Sequence, residues 1–188
     1  MVLNVIMKLF NQSGLTAIEL IIAMAIVGIV SAVGVPTFRA MSIINEVAAT
    51  SNAMRSSMKY ARSEALTRGK SVIMCSSSNG TSCSLANGEW AKGWIIGVDL
   101  DNDSNINEAV DQLLNVFLLD DDTQITIVPS DAAFNQKVIY GYDGWLTAGV
   151  AAGFNICSGF PSDGYPQREI RASVAGEPQL AKNAGVQC

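Results

Sequence analysis

The chain has 188 residues, of which 49% are hydrophobic and 15% are charged, and its formal net charge is −5. It contains no histidine, which excludes the commonest general base and the commonest metal ligand. Residues 1–70 hold seven Lys or Arg against three Asp or Glu (net +4), whereas residues 71–188 hold five against fourteen (net −9), so the C-terminal part as a whole would repel polyanions such as DNA.

An apolar segment runs from Leu15 to Phe38 and contains one charged residue, Glu19. As a helix that rises about 1.5 Å per residue, this segment would cover a bilayer core of roughly 30 Å. A removable signal peptide would have a shorter apolar core. An ionised carboxylate in the bilayer costs roughly 2.5 kcal/mol or more, so we expect Glu19 to have a partner. Residues 15–38 are therefore predicted to form a transmembrane helix.

The residues Gly14-Leu15-Thr16-Ala17-Ile18-Glu19 resemble the processing site of type IV prepilins and pseudopilins. The resemblance implies that a prepilin peptidase removes residues 1–14 as a leader, cuts between Gly14 and Leu15, and methylates the new N-terminus. It also implies that Glu19, the fifth mature residue, pairs with the N-terminal amine of a neighbouring subunit in the filament core. Short leaders are typical of the family, so Met7 is an alternative to Met1 as the true start.

Residues 39–69 are predicted to continue the helix as an amphipathic segment. Apolar residues recur at steps of three, four or seven positions and form one stripe, which should dock the helix on a sheet. The stripe consists of Ile43, Val47, Met54, Met58, Ala61 and Ala65. Arg68-Gly69 is a typical helix stop.

Residues 70–188 are predicted to form one β-rich globular head, because short apolar segments alternate with turn residues. The predicted strands are 71–75, 94–98, 113–119, 124–128, 137–142, 153–157 and 169–174. The fold class is therefore α+β, with a long N-terminal helix packed on a small antiparallel β-sheet head.

The four cysteines are expected to form disulfides, because an exported head would lie in the oxidising periplasm. Four cysteines allow three pairings, and sequence does not decide among them. We favour Cys75–Cys83, which would close a short turn, and Cys157–Cys188, which would tie the C-terminus to the sheet. A zinc site is not supported, since the chain has no C-x₂-C pair.

An acidic segment follows the second predicted strand. Its alternating side chains resemble the calcium ligands of an EF-hand loop, and they are Asp99, Asp101, Asp103 and Asn105. The segment departs from that loop at Ser104, where glycine is expected, and at Val110, where a bidentate glutamate is expected. The alternative is a solvated turn, which Asp and Asn favour through side-chain bonds to the backbone. No cofactor is expected from the sequence, which favours the solvated turn, and calcium is the one candidate.

An enzyme is not expected. Besides having no histidine, the chain has no G-x-S-x-G elbow and no phosphate-binding loop. Tyr140, Tyr142 and Trp145 are predicted to pack in the head rather than to bind a sugar.

The motifs of the head resemble the GspH/FimT/FimU family of minor pilins and pseudopilins. They include Ala61-Arg62-Ser63-Glu64-Ala65, Gly88-Glu89-Trp90-Ala91-Lys92-Gly93-Trp94, Asp99-Leu100-Asp101 and Phe154-Asn155-Ile156-Cys157. The resemblance implies a type IV pilin-like fold and a minor pilin that helps to initiate or cap type IV pilus assembly. The alternative that it leaves open is a minor pseudopilin of type II secretion.

The same resemblance implies partners and a location. The partners are other major and minor pilins or pseudopilins, the prepilin peptidase and the inner-membrane assembly platform. The chain would lie in the inner membrane as a single-pass protein with a periplasmic head, and at a filament tip after assembly.

A further alternative is DNA uptake, since some FimT-like pilins are thought to bind DNA through a basic G-R-x-R motif near the C-terminus. The matching stretch here, Gly176-Glu177-Pro178-Gln179, lacks both arginines. Arg168, Arg171 and Lys182 are nearby in sequence, but three charges make a weak electrostatic footprint in an acidic head. DNA is therefore not an expected partner.

Overall fold

The computed structural model describes residues 15–84, 89–107, 111–120, 122–159 and 167–182. The described residues form one α-helix, α1 (Ala17–Arg68), and eight β-strands. The strands are β1 (Val72–Ser76), β2 (Gly93–Val98), β3 (Gln112–Leu118), β4 (Ile125–Pro129), β5 (Lys137–Tyr140), β6 (Ala152–Ser158), β7 (Arg168–Ala172) and β8 (Pro178–Lys182). Short 3-10 helices cover Glu89–Lys92 and Ala132–Phe134.

The chain divides into two compact units, residues 1–40 and residues 41–188. In the first unit the described part of α1 is apolar and its side chains are exposed. Ile18, Val27 and Val33, for example, are 61%, 64% and 67% exposed. By length and composition α1 is able to cross a membrane, with a mean hydropathy of 2.5 in its most apolar window.

In the second unit α1 is amphipathic and packs on the sheets. All six residues of the predicted stripe are buried, from Ile43 (8% exposed) to Ala65 (0%), so the predicted docking face is confirmed. The helix ends where expected. Gly69 has a left-handed φ of +63°, and its N–H donates to the Ala65 carbonyl at 2.9 Å.

The eight strands form two four-stranded antiparallel sheets rather than one. Sheet 1 has the order β3-β2-β1-β5, and sheet 2 has the order β4-β6-β7-β8. After β3 the chain crosses to sheet 2 for β4 and returns to sheet 1 for β5, which pairs with β1. Met74 of β1 therefore lies between Ile96 of β2 and Val138 of β5. Such pairings join segments far apart in sequence, which local patterns do not reveal.

The main core lies between α1 and the sheets. The Trp94 ring stacks on Phe117 at a centroid distance of 4.4 Å, and its Nε1 donates to the Ser57 hydroxyl on α1 at 2.9 Å. The Trp90 ring meets Phe154 edge-on at 4.9 Å. Tryptophan and phenylalanine bury large areas, and a tryptophan N–H needs a partner when buried, which both indoles find here.

A second, smaller cluster consists of Ile73, Cys75, Ile95 and Ile106. Because strand side chains alternate, Ile73 and Cys75 lie on the opposite face of β1 from Val72 and Met74. Ile106 comes from the loop between β2 and β3, so this loop is anchored to sheet 1 by a fully buried side chain.

Two further features differ from the predictions. Strand β8 was not predicted, because Gly176 and Pro178 are turn residues; proline is accepted here since it is the first residue of an edge strand. Tyr142 and Trp145 were predicted to pack in the head, and this was wrong. They are 71% and 52% exposed, whereas Tyr140 is fully buried.

Candidate functional site

Glu19 closes a capping box at the start of α1. The Thr16 N–H and the Thr16 hydroxyl both donate to Glu19 Oε2 at 2.8 Å, and the Glu19 N–H faces Thr16 Oγ1 at 3.4 Å. Thr16 precedes the first helical residue and Glu19 is the third, which is the T-x-x-E spacing of this motif. This local role of Glu19 was not predicted, although the T-x-x-E spacing is visible in the sequence.

The second oxygen of Glu19, Oε1, accepts no hydrogen bond from the described residues. A carboxylate can accept several hydrogen bonds, so this oxygen is available to a further donor while the capping box stays intact. Leu15, which would carry the new N-terminus, is 79% exposed. Gly14, the other side of the predicted cleavage site, lies outside the described residues.

Cys75 and Cys83 form a disulfide with a Cα–Cα distance of 5.5 Å, which is the pairing predicted for them. The loop that it closes pairs with the acidic loop, because Ser82 and Asn107 form a β-bridge. The described cysteines include no free thiol. The predicted pairing of Cys157 with Cys188 falls on a residue outside the described part of the chain.

The structure brings three of the four predicted calcium ligands together. One carboxylate oxygen from each of Asp99, Asp101 and Asp103 lies within 4.8 Å of the others. Asp101 and Asp103 are exposed, and Asp99 is buried. Asn105 donates its N–H to Asp103 Oδ1 at 2.7 Å and lines a cleft beside the Cys75–Cys83 disulfide.

Asp99 lies in an unfavourable electrostatic environment. Burial raises the pKa of its carboxyl above the ordinary value. Backbone N–H groups of Ser104 and Asn102 oppose this rise, and the negative charges of Asp111 and Asp103 add to it. The loop therefore concentrates acids where at least one of them is poorly solvated.

The three basic residues weighed for DNA binding do not form one patch. Arg168 and Arg171 are three positions apart on β7, so they lie on opposite faces of sheet 2. Lys182 lies opposite Arg168 in the register of β7 and β8. Arg171 pairs with Glu169 at 2.5 Å, and this hydrogen bond raises the pKa of Arg171. Its charge is therefore already balanced within the head.

Glu177 lies in the stretch that would carry the basic motif, and it links the loop before β8 to α1 through two salt bridges. It pairs with Arg62 at 3.1 Å and with Lys59 at 3.4 Å. Arg62 Nε also donates to the Gly144 carbonyl at 3.1 Å. This cluster was not predicted, because Arg62 lies 82 and 115 positions before Gly144 and Glu177 in the sequence.

Comparison with solved structures supports the same fold. A crystal structure of the type IV minor pilin FimU from Pseudomonas aeruginosa matches with a TM-score of 0.56 and 22% identity, covering 73% of this chain and 89% of that one. A second FimU crystal form matches with a TM-score of 0.47 and 21% identity, covering 75% and 91%. No curated protein sequence matches the chain.

The sequence also matches a family model described as type II transport protein GspH over residues 50–176, about two thirds of the chain. The matched region includes the last part of α1, from residue 50, together with Trp90 and Trp94 of the main core and the acidic loop. With its apolar N-terminal helix and antiparallel sheets, the chain belongs to the GspH family of pilins and pseudopilins.

Proposed function

We propose that the chain is a minor pilin that helps to initiate or cap the assembly of a type IV pilus. The observation that carries this proposal is the exposed apolar surface of residues 15–35 and 37–38, which contains Glu19 as its single charge. Lipid covers such a surface before assembly, and the helices of other subunits cover it in a filament. The family is structural rather than catalytic, which agrees with the absence of histidine from the sequence.

Processing between Gly14 and Leu15 would create the amine that Glu19 needs. A neighbouring subunit's amine would bind at Glu19 Oε1, which the capping box leaves open. The ion pair would lie in a bundle of apolar helices, where the effective dielectric constant is low. Removing one partner of a buried pair costs about 3–5 kcal/mol, so the pair would set the register of each entering subunit.

The head would remain in the periplasm while the helix is anchored in the inner membrane, and would reach the filament tip after assembly. Its partners would be other pilins, the prepilin peptidase and the inner-membrane assembly platform. Within the head, the Cys75–Cys83 disulfide and the Glu177 pairs with α1 would keep the fold intact outside the cytoplasm.

A second candidate is a minor pseudopilin of type II secretion, which the printed description of the matching family model favours. The FimU likeness concerns the fold alone at 22% identity. Deletion of the gene in its native host distinguishes the two. Loss of surface pili with normal secretion supports the pilus, and loss of secreted enzymes with normal pili supports the secretion system.

The ion pair is tested with variants of Glu19 that separate the charge of this side chain from its role in the capping box. Glu19→Gln keeps the capping box, which accepts Glu or Gln, but removes the charge. Glu19→Gln and Glu19→Ala are both expected to enter sheared filaments at least tenfold less than wild type, with unchanged membrane levels. Thr16→Ala, which weakens only the cap, is the matched control and should enter normally. Recovery of Glu19→Gln at wild-type levels would refute the ion pair.

A further inference from the structure

We propose that the loop between β2 and β3 binds one calcium ion through the carboxylates of Asp99, Asp101 and Asp103. The loop belongs to the second compact unit, residues 41–188, whereas the apolar surface that carries the proposed assembly role belongs to the first. Calcium binding by this loop can therefore be tested independently of the assembly role.

The distances among the three carboxylates fit a single ion. One oxygen from each carboxylate lies within 4.8 Å of the other two. Calcium binds oxygen at roughly 2.3–2.6 Å, so two ligands on opposite sides of one ion lie up to about 5 Å apart. All three side chains can thus reach a common ion with small adjustments, two of them from exposed and therefore adjustable positions.

The buried member of the group, Asp99, carries an oxygen that no hydrogen-bond donor of the described residues satisfies. Asp99 is only 4% exposed, and its Oδ1 has no hydrogen-bond partner among the described residues. Its Oδ2 accepts the Ser104 N–H at 3.1 Å. A buried carboxylate oxygen without a donor is costly, and a cation is the group that would satisfy it.

The described part of the chain does not supply that cation. None of its Lys or Arg side chains forms a salt bridge with Asp99, Asp101 or Asp103. Lys137 is the described cation hydrogen-bonded to this loop, but its Nζ donates to the Ser104 carbonyl rather than to a carboxylate. The three negative charges are therefore unbalanced unless an ion binds.

Contacts within the head fix the conformation of the loop without a bound ion. Ile106 is fully buried at its end, and both oxygens of Asp111 are used to close it, accepting the N–H groups of Leu100 at 2.9 Å and Asn107 at 3.0 Å. Ser104 adopts a φ of +62°, the left-handed conformation for which an EF-hand uses glycine. The serine departure in the sequence is thus accommodated by the backbone.

The chemistry of the ligands selects calcium among the common metals. The ligands are hard oxygen atoms, and the chain has no histidine. Zinc and copper prefer nitrogen and sulfur, and magnesium demands near-ideal octahedral geometry at shorter distances. A site with three carboxylates, two of them exposed, is expected to bind in the range of extracellular calcium modules, about 10⁻⁴ to 10⁻³ M.

The test is a calorimetric titration of the full-length chain, purified in detergent and stripped with a chelator, using CaCl₂ and separately MgCl₂. We expect saturable binding of one Ca²⁺ with weaker Mg²⁺ binding. Ca²⁺ should also raise the thermal unfolding midpoint, because an ion that binds only the folded state stabilises it.

The variant Asp101→Asn/Asp103→Asn is expected to bind Ca²⁺ at least tenfold more weakly. Asparagine keeps the Oδ1 acceptor for the Asp103 and Asn105 N–H groups while removing the charge. The single variant Asp101→Asn is the alternative if the double variant does not fold. Asp122→Asn, an exposed acid outside the loop, is the matched control and should bind as wild type does.

Three results would overturn the proposal. The first is the absence of saturable Ca²⁺ binding up to about 10 mM, well above the expected range. The second is equal Ca²⁺ affinity of wild type and the folded loop variant. The third is Mg²⁺ binding as tight as Ca²⁺ binding, which would contradict the assignment of the ion.

Discussion

Tyr140 lies at the end of β5, where its ring is fully buried in the main core. Its hydroxyl has no hydrogen-bond partner among the described residues. An unsatisfied buried polar group costs about 1–3 kcal/mol. Burial also raises the pKa of Tyr140 well above 10, an effect that Arg62 partly offsets and Glu177 reinforces. The ring therefore contributes to stability and the hydroxyl opposes it.

Tyr140→Phe is accordingly expected to leave the free energy of unfolding at pH 7 unchanged or to raise it by about 1 kcal/mol, because the ring packing stays and the unsatisfied hydroxyl is removed. Tyr140→Ala, the packing control, should lower it by about 3–5 kcal/mol. Urea denaturation of the chain in detergent, followed by tryptophan fluorescence, measures both. A loss of more than 1 kcal/mol in Tyr140→Phe would show that the hydroxyl has a partner.

The same residue predicts a dependence on alkaline pH. Above the ordinary pKa of 10.0, the unfolded chain releases the Tyr140 proton whereas the folded chain retains it. The stability that this retention contributes is fully present below about pH 10 and is lost as the pH rises. Between about pH 9 and 11, Tyr140→Phe should therefore lose less stability than wild type, and equal losses would contradict the assigned pKa direction.

At the scale of elements, one stripe of α1 joins the helix to the head. Met54 and Met58 are fully buried in this stripe, whereas Met41 on the same helix is 58% exposed. Methionine and alanine are both good helix formers, so replacing one by the other changes packing more than helix propensity.

Met54→Ala is expected to lower the free energy of unfolding by about 2–5 kcal/mol, since it leaves a cavity between α1 and the sheets. Met41→Ala, the same change at an exposed position, should alter it by less than about 0.5 kcal/mol. Thermal or urea unfolding of both variants in detergent provides the comparison. Similar effects of the two changes would mean that the stripe does not dock the helix.

The elements were largely predictable from sequence, and the exceptions have local reasons. The stripe from Ile43 to Ala65 follows helical periodicity, and β1 to β7 alternate with turn residues, so both patterns were visible. Strand β8 begins at Pro178, shortly after Gly176, which has a φ of +82°. Glycine and proline this close together are typical of a turn, and only the pairing with β7 shows that a strand follows. In the sequence, Glu177 stands out only as an acid at a position where a basic motif would have arginine. Its pairing with Arg62 and Lys59 was not predictable, because these partners lie on α1, far away in sequence.

The candidate sites were less predictable than the elements. Sequence spacing identified Asp99, Asp101 and Asp103 as a group, but not that Asp99 is buried with an unpartnered oxygen. It identified Glu19 as an unusual charge, but not the capping box with Thr16. Burial and hydrogen bonding depend on what the fold places around a residue, which a linear pattern does not contain.

For the whole molecule, the chain combines an apolar helical unit with an acidic, disulfide-bonded head. The first unit is suited to lipid or to other apolar helices, because both environments offer similar dispersion contacts to the same side chains. The head is suited to water. Under the proposed function, this division would allow a subunit to be stored in a membrane and then moved into a filament without refolding.

The proposed ion pair depends on maturation of the chain at the predicted processing site, because this step creates the amine that would pair with Glu19. Intact mass and N-terminal sequencing by mass spectrometry, applied to the protein isolated from its native host, test this directly. We expect a mature chain that begins with N-methylated Leu15. A mature chain that begins at Met1, at Met7 or at any residue other than Leu15 would contradict it.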